Sequence, residues 1–227
     1  MLSIRLQTIA SFLEPDDKVV DIGCDHGYLG IYATQKKLVK NIILTDIKES
    51  ALSMARKNVL NSNLNIPLIV SDGLENINSN EINTIVISGM GTNTILHILS
   101  NKSKLANVNK LILQSNNNLD ILRKEVTKLG FALVDEVTIK DNGIWYVICL
   151  FKKNSKAKLN NKTIKYGLIK ADKEKYYQYL ITTEEEILKK LEESQNENLK
   201  IAKQKEITKL NELLEECRAI GRNSLNS

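Results

Sequence analysis

No apolar run in the sequence approaches the length that spans a bilayer. The opening MLSIRLQTIASFLEP has neither a long apolar region nor a small-residue cleavage site, so it does not read as a secretory signal. The expectation is a cytoplasmic chain without a membrane partner. Cysteine is scarce: Cys24, Cys149 and Cys217 are far apart and form no CxxC pair, as expected of reduced thiols that hold no metal. The only two histidines, His26 and His97, leave no material for a histidine-rich metal centre. With 227 residues the chain has room for one sizeable domain and a smaller element.

The charge of +5 is unevenly placed. Residues 1–151 carry 15 basic and 15 acidic side chains, whereas 152–175 carry nine basic and two acidic. A local cationic stretch attracts polyanions. Its alternative is mere solubility in a composition rich in Lys, Asn and Ile.

Short β-branched runs at Lys18–Ile22, Asn41–Thr45, Ile66–Val70, Thr84–Ser88 and Lys110–Leu113 alternate with helical patterns at Tyr28–Lys37, Glu49–Asn61, Asn93–Leu99 and Asn117–Leu129. Continuous apolar runs separated by helices indicate parallel strands buried on both faces. The pattern then changes. Phe131–Ile139 and Trp145–Lys152 are joined by a loop containing Asn142-Gly143, too short for a crossover, so they pair as an antiparallel hairpin. Five parallel strands followed by a hairpin is the class I methyltransferase arrangement, an α/β Rossmann-like sheet. Beyond it, Leu180, Ile181, Ile187, Leu188 and Leu191, and again Leu210, Leu213, Leu214, Cys217 and Ile220, recur at helical spacing. These stripes fit one long helix or a helical hairpin; the hairpin is favoured because a lone helix leaves its stripe bare. The expected domains are therefore 1–153 and a basic coiled-coil appendage at 154–227.

The strongest motif is Asp21-Ile22-Gly23-Cys24-Asp25-His26-Gly27, at the end of the first strand. Gly23 and Gly27 permit a sharp turn and close approach to a ligand, at the edge where open α/β sheets bind theirs. A phosphate-cradling loop presents bare N–H groups, whereas here Asp21 and Asp25 present carboxylates. Two acids suit a ligand bearing an ammonium and a sulfonium, which points to S-adenosylmethionine. Asp46, followed by Ile47 at the end of the second strand, is placed to accept from ribose hydroxyls, or to cap a helix. Asp72-Gly73 follows the third strand, where Asp72 is placed to accept from an adenine amino group. At the fourth, Ser88-Gly89-Met90-Gly91 puts two glycines on the floor where methyl donor and acceptor meet, with Gly89 and Met90 expected against the donor; at the fifth, Gln114-Ser115-Asn116-Asn117 brings amides to the same edge. The Asp/Asn-Pro-Pro-aromatic motif usual in enzymes that methylate adenine N6 is missing.

These residues resemble the bacterial tRNA (adenine(22)-N1)-methyltransferase (TrmK) family over essentially the whole chain. The marks are Ser3-Ile4-Arg5-Leu6, the DIGCDHGYL stretch from Asp21 to Leu29, Ser88–Gly91, Leu113–Asn116 and a C-terminal coiled coil. The chain departs from the family's usual pattern twice, with Gly91-Thr92 in place of Gly-Gly and Gln114-Ser115-Asn116 in place of Gln-Pro-Asn. The resemblance implies methylation of adenosine N1 in tRNA by a monomer that does not act on DNA. Tyr28, read as a stacking platform or as a core tyrosine, is the expected base contact, with Ser88 and Asn116 holding the base edge. His26 is assigned to a phosphate or to capping the first helix, and Arg5 to RNA backbone or a structural salt bridge. Lys153, Lys156, Lys158, Lys162 and Lys165 are the expected RNA-holding lysines. Two other classes compete: a small-molecule methyltransferase with an accidental basic tail, and a non-catalytic cofactor-binding RNA module.

Overall fold

The computed structural model describes residues 2–153, 159–191 and 196–225. Its chain divides into two compact units, Met1–Gly167 and Leu168–Ser227. In the first, parallel strands β1 (Lys18–Ile22), β2 (Asn41–Asp46), β3 (Leu68–Val70), β4 (Thr84–Met90) and β5 (Lys110–Ser115) are joined by an antiparallel hairpin, β6 (Phe131–Asp141) and β7 (Ile144–Lys153). The order across the sheet is β3-β2-β1-β4-β5-β7-β6. The first strand lies inside, with Val20 registered against Ile43 of β2 and Ile85 of β4. Its chain reverses direction of strand order there, and ligands of open sheets bind beside that switch point. The hairpin turn is tighter than the sequence suggested. Asn142 and Gly143 alone connect the strands, at φ 48° and 83°, the left-handed pair of a type I′ turn.

Helices α1 (Ile4–Ala10), α2 (Tyr28–Gln35), α3 (Glu49–Asn61), α4 (Thr92–Leu99) and α5 (Leu119–Lys128) surround the sheet. Helix α1 is not among the elements expected from the periodic runs. Its signals are ordinary: Ser3 caps it by accepting a hydrogen bond from the Leu6 amide, and Ile9 and Ala10 are buried.

The first unit also extends further than expected. A division after Lys153 would detach α6 (Asn161–Tyr166), but the structure keeps that helix with the sheet. Arg123 on α5 is the reason. It is buried against Glu136 at 2.7 Å, and its Nη1 donates to the carbonyl oxygens of Ile164 and Lys165 at 3.0 and 3.3 Å. A buried guanidinium needs such partners, and α6 supplies two of them.

The second unit contains α7 (Glu174–Lys190) and α8 (Glu197–Leu225), a helical pair and not one long helix. They run antiparallel, because Glu174 pairs with Arg218 at one end and Glu184 with Lys203 further along. Tyr177 and Ile181 of α7, and Leu210, Leu213, Leu214 and Cys217 of α8, are buried; Ile220, expected on the same stripe, is exposed. No helix among the described residues is long and apolar enough to cross a membrane.

Candidate active site

The carboxyl ends of β1, β2 and β4 open onto a cleft of about 430 Å³. Asp21, Gly23, Asp25, His26, Tyr28, Asp46, Ser88, Gly89 and Met90 all line it, as does Arg5 from α1. The loop after β1 reaches the cleft through left-handed backbone at Gly23, Asp25 and Gly27. A Cβ at 23 would lie 2.2 Å from the Met90 Cε, the movable end of that side chain, so the left-handed backbone is the main reason for glycine there. The amides of Gly23 and Cys24 both donate to the Thr45 carbonyl at 2.9 Å, tying this loop to β2.

Asp21 is the electrostatic centre. Burial, together with the charge of nearby Asp46, pushes its carboxyl up to about 7. An acid held in that state favours a cationic ligand, since a cation offsets both causes at once. Asp46 is half-buried and uses one oxygen to accept from the Lys48 amide at 3.0 Å, a turn before α3 and not a cap on it. Burial also pushes the Cys24 thiol well above its ordinary value, which leaves it mostly un-ionised and a poor nucleophile.

The floor is organised by Gln114, whose importance the sequence reading missed. The Gln114 Oε1 accepts from the Arg5 Nη1 at 3.2 Å, the Ser88 hydroxyl at 3.2 Å and the Gly89 amide at 2.9 Å. Its Nε2 donates to the Asn116 Oδ1, and the Asn116 Nδ2 donates to the Gly89 carbonyl. Arg5 is thereby placed in the cleft, over the Tyr146 ring at 5.1 Å, with its backbone amide on Asp141. A salt bridge was one expectation for Arg5; the guanidinium instead meets a neutral amide and a ring.

Tyr28 is half-exposed, which removes the alternative of a core tyrosine. The His26 ring stacks on it at 5.4 Å. His26 does not cap α2, whose N-cap is Gly27 with no side-chain bond. Asp72 and Gly73 line a separate depression beside His97 and Ile98, and Ile47 is exposed. Lys153 directs its Nζ to the carbonyls of Leu105 and Ala106, and Lys165 lies over the Tyr166 ring on α6, the helix that also carries Lys162. Lys156 and Lys158 fall outside the described residues. Among the described residues, no group of three or more His, Cys, Asp and Glu is placed to hold a metal ion.

Parallel sheet, inserted antiparallel strand and an acid-lined cleft beyond β1 together define the class I methyltransferases. Residues 2–149 match the family model described as "Methyltransferase domain". The tRNA (adenine(22)-N(1))-methyltransferase of Bacillus subtilis (strain 168) is 37% identical over 150 residues, which are 65% of this chain and 63% of that protein. Among solved structures, Streptococcus pneumoniae Sp1610 superposes with a TM-score of 0.85 at 29% identity, covering 94% of this chain and 100% of that one. M. capricolum TrmK, solved with S-adenosyl-homocysteine, gives 0.81 at 28% identity, covering 95% and 98%. The chain belongs to the tRNA (adenine(22)-N1)-methyltransferase family.

The two departures from that family's usual pattern meet in space. Thr92 and Ser115 are both buried, and their hydroxyls lie 2.8 Å apart. Thr92 also donates its amide to the Asn117 Oδ1 at 3.0 Å. The pair joins the start of α4 to the end of β5, under the Gly89–Asn116 floor. Both hydroxyls also reach the Asn117 carbonyl, Thr92 at 2.7 Å and Ser115 at 2.9 Å, so removing one alters the bonding of the other and leaves buried polar groups with fewer partners. We therefore expect Thr92→Val and Ser115→Ala each to lower stability by about 1–3 kcal/mol, and the double variant to lose clearly less than the sum. Denaturant unfolding of the four proteins measures this; strict additivity would show that the hydroxyls do not act as a pair.

Proposed function

We propose that this protein transfers a methyl group from S-adenosylmethionine to N1 of an adenosine in tRNA, at position 22. The observation that carries the reading is the cleft that Asp21 and Asp46 line together with Ser88 and Gly89, with Asn116 hydrogen-bonded to the Gly89 carbonyl. When bound, S-adenosylmethionine supplies a methyl group on a cationic sulfonium. The residues fit such a ligand: buried Asp21 and half-buried Asp46 compensate positive charge, and the left-handed turn at Gly23 brings loop backbone to the cleft wall. Solved relatives hold S-adenosyl-L-methionine and S-adenosyl-homocysteine, which supports the same choice here.

The acceptor requires little chemical assistance. Adenine N1 has an in-plane lone pair, so it needs no general base, and its methylated product is a cation. What the protein must provide is alignment and a site that tolerates that charge. The Gln114 network holds Ser88 and Gly89 in place, and the Asn116 amide is fixed at the same edge. N1 lies on the Watson–Crick edge, so the base must leave its pair or stack to be reached. Tyr28, half-exposed at the cleft, is the group against which it stacks.

In this reading the second unit, with the lysines that precede it, holds RNA backbone and takes no part in the chemistry. The protein acts in the cytoplasm as a monomer, on tRNA and not on DNA. Phosphate contacts fix position without reading bases. Incubation with labelled donor and total tRNA, followed by nucleoside mass spectrometry against standards, should yield 1-methyladenosine. An N6-methyladenosine or methylguanosine product would refute the assignment.

A chain ending at Gly167 tests the role of the second unit. It should bind donor as the full chain does, while its tRNA affinity falls. A soluble truncated protein that methylates tRNA as well as the full chain would rule out an RNA-holding role for the second unit. Aggregation or a lower melting temperature would favour the alternative that this unit only covers an apolar face.

A further inference from the structure

A second hollow of about 600 Å³ opens between α1 and α2. Its walls include Leu6, Ile31 and Tyr32, and Ser3 and Gln35 add polar groups. It shares Arg5, Leu6 and Tyr28 with the donor cleft, so the two adjoin. Tyr28 stands between them: it lines both, whereas the His26 ring stacked on it lines only the donor cleft. None of Ser88, Gly89 or Met90 reaches this hollow. Whatever sits there is beside the reacting atoms and not among them.

We propose that the α1–α2 groove is a subsite for the base of the nucleotide adjoining the methylated adenosine. This rests on the functional reading above and extends it to a second nucleotide. Turning one base out of a stack strips its neighbour of a stacking partner as well. An aromatic wall next to the cleft replaces that partner, and any base is accepted because each has a π-face. The groove has the size of small-molecule sites, commonly about 300–1,000 Å³, with mostly apolar walls and a few polar groups. Arg5 lies at the junction. Its guanidinium gives one hydrogen bond to Gln114 and has further N–H donors for the phosphate that joins the two nucleotides.

The test uses the full-length protein, its Tyr32→Leu and Tyr32→Phe variants, and three tRNAs. One tRNA is intact, and the others are abasic immediately 5′ or immediately 3′ of the methylated adenosine. Loss of one base–aromatic stack corresponds to a fall of about 5- to 150-fold in kcat/KM. Tyr32→Leu should show such a fall on intact tRNA, and Tyr32→Phe should stay close to the native protein. One of the two abasic tRNAs should show a similar loss with the native protein and little further loss with Tyr32→Leu. Additive losses with both abasic tRNAs would overturn the subsite, as would unchanged activity of Tyr32→Leu. If Tyr32→Leu does not fold, the native protein still decides, because full activity on both abasic tRNAs overturns the proposal. Failure of the native protein to methylate intact tRNA would instead overturn the functional reading beneath it.

Discussion

A carboxylate buried at the end of an interior strand is costly unless something answers its charge. In this fold Asp21 occupies such a place, 5% exposed, with Asp46 on the neighbouring strand adding like charge. The rest of the site is arranged around that tension. The left-handed turns at Gly23 and Gly27 keep the loop above Asp21 low and open, and Met90 fills the space that a side chain at 23 would need. A cation entering the cleft relieves both the burial and the repulsion. Ligand selection is therefore written into the electrostatics of two residues before any specific contact is considered.

The acceptor side is governed by hydrogen bonds. Gln114 is almost fully buried and distributes one carbonyl oxygen among Arg5, Ser88 and Gly89. That arrangement fixes the floor with a neutral group, which suits a site where donor and product both carry positive charge. Thr92 and Ser115 brace the same floor from beneath. Two separate departures from the family's usual sequence thus appear as one local adjustment, a hydroxyl pair in place of a smaller residue and a proline.

Much of this was legible in the sequence because the governing signals are local. Strand ends, the Asn142-Gly143 turn, the glycines after β1 and the acids at 21 and 46 follow from short-range pattern and backbone geometry. The antiparallel helical pair also followed, since each stripe needed a partner. What escaped was long-range. Nothing adjacent to Gln114 announces that residues 5, 88 and 89 converge on its side chain. The attachment of α6 to the sheet depends on Arg123, forty residues upstream in round terms, whose carbonyl partners cannot be read from spacing. Arg5 was expected on RNA backbone or in a structural salt bridge because α1 had gone unrecognised, although Ser3 and the Leu6, Ile9, Ala10 spacing mark it. Asp72 was legible as a strand-end acid, yet the structure sets it in a neighbouring depression.

The proton on Asp21 gives the most direct test of the account. A carboxyl raised to about 7 holds its proton in the ligand-free protein below that pH, and a cationic donor binds the ionised form. Donor affinity should therefore rise as pH increases through about 7 and level off above it, with a proton released on binding at about pH 6. In the ligand-free protein the sign is opposite: the raised value means that the Asp21 contribution to stability is fully present at low pH and is lost as pH rises through about 7. Calorimetric titration of S-adenosylmethionine at about pH 6 and pH 8, in buffers of differing ionisation heat, reads the linkage. The account predicts tighter binding at the higher pH and proton release at the lower, both abolished in Asp21→Asn. Affinity independent of pH, with no proton released by the native protein, would contradict it.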